Sequence, residues 1–138
     1  ATNFSLPADF FAYAGGGLLV RAVFQKTGAD ANASTFRAKI GKNNTAGTTD
    51  IICGVTTSAV ATREAKIGQI MRVTTLTVGV TAAVFTTDTI QENGQDTAKV
   101  NDKSTYLFTD QVNYVVFTAS GTTGATHALV SFEIWWMA

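Results

Sequence analysis

The chain has 138 residues, 46% hydrophobic and 14% charged, with ten basic side chains balanced by ten acidic ones. That length holds one core and no second one, and a formal charge of zero lacks the basic excess with which nucleic-acid-binding modules meet phosphate. A single cysteine, Cys53, cannot close a disulfide within the chain, and no run reaches the roughly 18 consecutive apolar residues of a membrane-spanning helix, so packing must hold the fold and neither nucleic acid nor membrane is an expected partner.

Threonine, alanine, valine and glycine dominate the composition while leucine and glutamate are scarce, a usage that suits pleated strands. The one proline, Pro7, lies near the start and leaves the rest of the chain free to donate into sheet ladders. Residues 1–17 read as an arm rich in aromatic side chains, with Phe4, Leu6, Phe10, Phe11 and Tyr13 gathered around Pro7. Residues 18–138 read as a single β-sandwich domain.

Within that domain, Leu18 to Phe24 is a mostly apolar run of strand length between Gly15–Gly17 and Thr27-Gly28. Phe36, Ala38 and Ile40 alternate with Thr35, Arg37 and Lys39, the pattern of a half-buried strand. An Asn- and Gly-rich turn over residues 41–47 precedes a third strand at Asp50 to Cys53. Residues 60–68 are the one window of helix-favouring composition, too short to shape the fold. Alternation resumes from Ile70 to Phe85, where Gly79 marks a bulge or a turn between two strands. Residues 88–104 are polar and form a long exposed connection, with one short strand at residues 97–100 and Asn93-Gly94 as a turn signal. Two strong strands, Val112 to Ala119 and Ala125 to Met137, follow, and the Gly-rich link between them predicts a hairpin. Seven or eight strands separated by turn signals, with no helices between them, predict an all-β fold, an antiparallel β-sandwich of jelly-roll-like type.

Reaction chemistry finds little footing. The only histidine, His127, and the only thiol, Cys53, could meet across a sandwich as a nucleophile and its base. A small core cysteine and a hydrogen-bonded histidine account for them more simply. One His and one Cys do not make a zinc site. Asp88, Glu92, Asn93, Asp96, Asn101 and Asp102 are hard oxygen donors, yet their spacing matches no EF-hand, and Lys99 and Lys103 compete for the same carboxylates. No catalytic residue, cofactor or metal is therefore expected, and the chain does not read as an enzyme. Gly15 to Gly17 precede a strand rather than a helix and lack the Lys-Ser/Thr ending of a phosphate loop.

The informative feature is the failure of alternation at the end of the chain. Consecutive strand side chains point to opposite faces, so Trp135 and Trp136 cannot both enter one core. Strict alternation puts Ala128, Val130, Phe132, Ile134 and Trp136 on one face and Leu129, Trp135 and Met137 on the other, interrupted by Ser131 and Glu133, so that both faces are apolar at the C-terminal end. Val112 to Phe117 repeats the pattern. A sheet with one wet face alternates cleanly, so these strands predict that the outer face is covered, by the aromatic arm of the same chain or by another subunit. Phe4, Leu6, Phe10, Phe11, Tyr13, Trp135, Trp136 and Met137 are the candidate interface residues.

The lead Leu6-Pro7-Ala8-Asp9-Phe10-Phe11, the strands Leu18-Leu19-Val20-Arg21-Ala22 and Thr35-Phe36-Arg37-Ala38-Lys39-Ile40-Gly41, and the closing Val130-Ser131-Phe132-Glu133-Ile134-Trp135 together resemble small β-sandwich virion proteins of tailed bacteriophages. The resemblance is an order of patches over most of the chain rather than one specific motif, and residues 88–104 depart from it. It implies a structural protein on the outer surface of a capsid or tail, a decoration or cement protein that oligomerises with copies of itself, for instance as a trimer, and contacts the major capsid protein or another virion protein. It carries over no catalytic residue. The alternative is a receptor- or carbohydrate-binding module of a tail fibre or a secreted lectin-like protein, with Trp135, Tyr106 or Tyr114 stacking on the ligand.

Overall fold

The structure is a computed structural model that describes residues 2–7, 17–41, 44–45, 50–57, 59–76, 83–91, 98–99, 105–106 and 112–137; for residues 50–53, 69–76, 83–91, 98–99, 105–106 and 137 it describes backbone pairing alone. The described elements are all strands: β1 (Thr2–Leu6), β2 (Gly17–Gly28), β3 (Thr35–Gly41), β4 (Asp50–Thr56), β5 (Arg63–Leu76), β6 (Ala83–Gln91), β7 (Ala98–Lys99), β8 (Thr105–Tyr106), β9 (Asn113–Ser120) and β10 (Ala125–Met137). They form two five-stranded sheets, sheet I in the order β1-β9-β3-β4-β7 and sheet II in the order β10-β2-β5-β6-β8. Every pairing is antiparallel. The fold is the antiparallel β-sandwich that the spacing of turns predicts. The window of helix-favouring composition lies largely inside β5, because Ala65 and Ile67 are needed in the core on a strand's two-residue period.

The core lies between the sheets and is filled by alternate residues. On β2 these are Leu18, Val20, Ala22 and Phe24; on β3 Phe36, Ala38 and Ile40; on β9 Val115 and Phe117. Phe24 and Phe36 stack across the core with ring centroids 4.8 Å apart. Thr35, Arg37 and Lys39 are only half-buried, as the alternation of β3 requires. Val116, on the opposite face of β9 from that core, is also wholly buried, between Asn3 of β1 and Lys39 of β3 in the ladder.

Among the described strands, only β3–β4 and β5–β6 are consecutive strands paired in one sheet; the other consecutive strands lie in opposite sheets. The link over residues 121–124 crosses from one sheet to the other, so β9 and β10 are not the hairpin that the sequence predicts. β9 lies between β1 and β3, whereas β10 forms the edge of sheet II beside β2. The crossing brings Phe117 and Phe132 together across the core, with centroids 5.0 Å apart and the rings tilted by 39°, where a hairpin would line them along one sheet. Gly28 ends β2 beside this link with φ +114°, and a Cβ there would collide with the carbonyl oxygen of Gly124, so the approach of the two turns requires glycine.

Residues Thr2–Leu6 of the aromatic arm form β1, paired with β9 along its whole length. Leu6, grouped with the interface candidates, stands opposite Asn113 and is 2% exposed; it belongs to the chain's own core. Phe10, Phe11 and Tyr13 lie outside the described residues.

Candidate functional site: the free edge of sheet II

β10 is thirteen residues long and, among the described residues, pairs on one side only, with β2. From Trp136, opposite Leu18, through Ile134, opposite Val20, to Phe132, opposite Ala22, the core-side face of β10 is set by inward residues of β2. The register then slips between Leu129 and Ser131. The slip makes Val130 the extra residue of a β-bulge, which inverts the parity of everything before it. Leu129 and His127 thereby join Phe132, Ile134 and Trp136 on the core side, opposite Phe24 and Lys26. Uninterrupted alternation puts Leu129 on the other face with Trp135; the bulge corrects that assignment. Leu129 and Ile134 are partly buried against the core.

Much of what remains outside is apolar, although Ser131 and Glu133 are exposed as well. Val130 is 58% exposed, Trp135 59%, Trp136 60%, and Phe132, although its ring meets Phe117, still 40%. The indoles point to opposite faces, since Trp136 pairs with the buried Leu18 and Trp135 with the half-buried Leu19. Trp135 Nε1 donates to Glu133 Oε2 at 3.4 Å, and Glu133 faces Arg21 in the ladder. A shallow cleft of about 150 Å³ lies between Arg21, Ala22, Val23, Ile67, Ser131, Phe132 and Glu133, smaller than the roughly 300 Å³ at which small-ligand pockets begin. On the same flank of the sandwich, β1 is the edge of sheet I, with Phe4 44% exposed. Met137 stands opposite Gly17 in the ladder; its side chain lies outside the described residues.

At the other end of β10 a polar cluster closes the sandwich. His127 Nε2 and Ser34 Oγ are 2.9 Å apart, and the imidazole meets the Phe36 ring edge-on at 5.6 Å. Ser34 N donates to Thr57 Oγ1 at 3.1 Å, and Thr57 N donates back to Ser34 O at 2.9 Å. Lys26, wholly buried, donates from Nζ to the carbonyl oxygens of Val60, at 2.8 Å, and of Asn32. Asp30 accepts from the Thr122 hydroxyl and from Asn32 Nδ2, the latter at 2.7 Å. Ser34 is 1% exposed, so its hydroxyl and His127 act as a tie between sheets rather than as a nucleophile and base open to a substrate.

Cys53 stands opposite Ala38 on β4; its side chain, and those of residues 88–104 that offered oxygen ligands, lie outside the described residues. Among the described residues no three His, Cys, Asp or Glu side chains gather as a metal site requires. Tyr114 is half-buried on β9, and the Tyr106 side chain is outside the described residues. Lys26, Ser34 and Asp30 were not singled out by sequence. For Lys26 a signal existed: it falls on the same parity as Leu18, Val20, Ala22 and Phe24 once the strand is carried past Phe24. No protein-family model matches the chain, and no curated protein or solved structure matches it either.

Proposed function

We propose that this chain is a structural protein of a tailed-bacteriophage virion, a capsid decoration or cement protein that associates with copies of itself and with the shell and works by adhesion, without catalysis. The observation that carries the reading is the edge of β10, where Val130, Phe132, Trp135 and Trp136 are exposed on a long strand that, among the described residues, pairs on one side only. Exposed apolar surface of this kind on a sheet edge is a docking surface or a liability. The assignment to a virion is supported by the order of patches shared with small β-sandwich virion proteins. The mechanism is mass action: a protein that binds only assembled shell stabilises that shell.

The test is to add the purified chain to capsids stripped of it. The reading expects co-sedimentation with capsids and a higher temperature of capsid rupture. A chain that stays monomeric and leaves both measurements unchanged removes it.

The Trp135–Glu133 contact favours a second reading, a receptor- or carbohydrate-binding module of a tail fibre or a secreted lectin-like protein. An exposed indole beside a carboxylate is the chemistry that holds a sugar, the ring stacking on its C–H face while the oxygens accept from its hydroxyls. Glycan-array binding that disappears in Trp135→Ala would support this reading, and a blank array would remove it.

A further inference from the structure

We infer that β10 pairs with β10 of a second copy, antiparallel about a two-fold axis at Ile134, and joins the two copies of sheet II into one ten-stranded sheet. The inference rests on the adhesive reading of this edge and names its partner. Among the described residues the opposite edge of sheet II, β8, offers two paired residues, whereas β10 offers thirteen. Ala125–Met137 contains no lysine and no proline, the residues with which monomeric proteins blunt an edge. Its guards are Glu133 and the bulge at Val130.

The register follows from complementarity. With Ile134 on the axis, Trp135 stands opposite the second copy's Glu133, and Trp136 opposite the second copy's Phe132. Trp136 and Phe132 are on the core-side face of β10, and Trp135 and Glu133 are both on the outer face, so no side chain has to turn over. The Trp135 indole N–H, which reaches its own Glu133 only at 3.4 Å, gains a second carboxylate across the axis. Glu133 is the single charged residue of 131–137, so no like charges oppose each other. The slip between Leu129 and Ser131 ends the regular stretch and limits the pairing to these seven residues. Each surface is its own complement, as a two-fold interface demands.

The experiment is sedimentation equilibrium of the full chain over a range of concentrations, with circular dichroism confirming that each variant folds. The native chain is expected to dimerise. Trp135→Glu puts a carboxylate opposite Glu133 twice across the axis and removes two indoles, and should weaken the dimer by roughly a hundredfold or more. Adding Glu133→Lys to Trp135→Glu turns both repulsive pairs into attractive ones and should restore dimerisation to within about tenfold. A monomer at every concentration, a trimer, indifference to Trp135→Glu, or no rescue by Glu133→Lys overturns the inference. Association that is lost in Phe4→Glu and kept in Trp135→Glu overturns it too, and assigns the contact to β1. A monomer that still binds capsids removes this pairing and leaves the proposed function standing; a dimer of this register that ignores capsids does the reverse.

Discussion

Ser34 Oγ and His127 Nε2 lie 2.9 Å apart and tie the residue that precedes β3 in sheet I to the first turn-proximal residues of β10 in sheet II. Ser34 is buried, and its backbone is locked to Thr57 in both directions. Ser34→Ala therefore leaves the imidazole without this partner in a half-buried site, and should lower stability by about 1–2 kcal/mol. Replacing both groups by apolar ones, Ser34→Ala with His127→Phe, should recover part of that loss, because no polar atom is then stranded. Urea denaturation of the two singles and the double measures the coupling; strictly additive effects would show that the contact contributes nothing.

Lys26 holds two carbonyl groups at once, Asn32 O before β3 and Val60 O before β5. Lys26→Met keeps the aliphatic stem and removes the donors. Two part-buried carbonyl oxygens then lose this donor, and the cost should be about 1–2 kcal/mol. Limited proteolysis near residues 29–33 and 59–62 should accelerate before global unfolding does. An unchanged cleavage pattern would mean that these loops are held by other contacts.

The strands were legible wherever hydrophobic parity was strict. Thr35–Gly41 and Ala125–Met137 match the sequence reading because their limits coincide with turn residues. Sheet membership was not legible. The link between β9 and β10 has the composition of a hairpin turn, and whether it turns within a sheet or crosses the core depends on partners distant in sequence, here β3 for β9 and β2 for β10. The outward indoles were legible as a consequence of two adjacent tryptophans on one strand. The polar cluster was not, because Lys26, Ser34, Thr57 and His127 meet only through tertiary packing and carry no shared spacing.

Burial separates two phenylalanines that sequence treats alike. Phe36 is fully buried and packs on both Phe24 and His127. Phe36→Ala should cost about 3–5 kcal/mol, the range for a large cavity in a closed core. Phe132 touches Phe117 yet is 40% exposed on the free edge, so Phe132→Ala in the monomer should cost less than half as much. Equal losses in denaturant midpoint would contradict the assignment of Phe132 to a surface that the single chain leaves open.

The bulge at Val130 makes a prediction that plain alternation inverts. Removing Val130 deletes the residue that β2 does not match, so Leu129 and His127 keep their places opposite Phe24 and Lys26 and β10 becomes a regular strand. Stability should change by no more than about 1 kcal/mol. Removing Ala128 shortens the strand by the same one residue with a different result. Either the bulge persists and His127 rotates away from Ser34, or it is lost and Leu129 leaves the core for the outer face. Each route should cost about 2–4 kcal/mol. Thermal unfolding of the two deletions compares them directly. If removal of Val130 proves as damaging as removal of Ala128, the bulge is not where the parity of β10 changes.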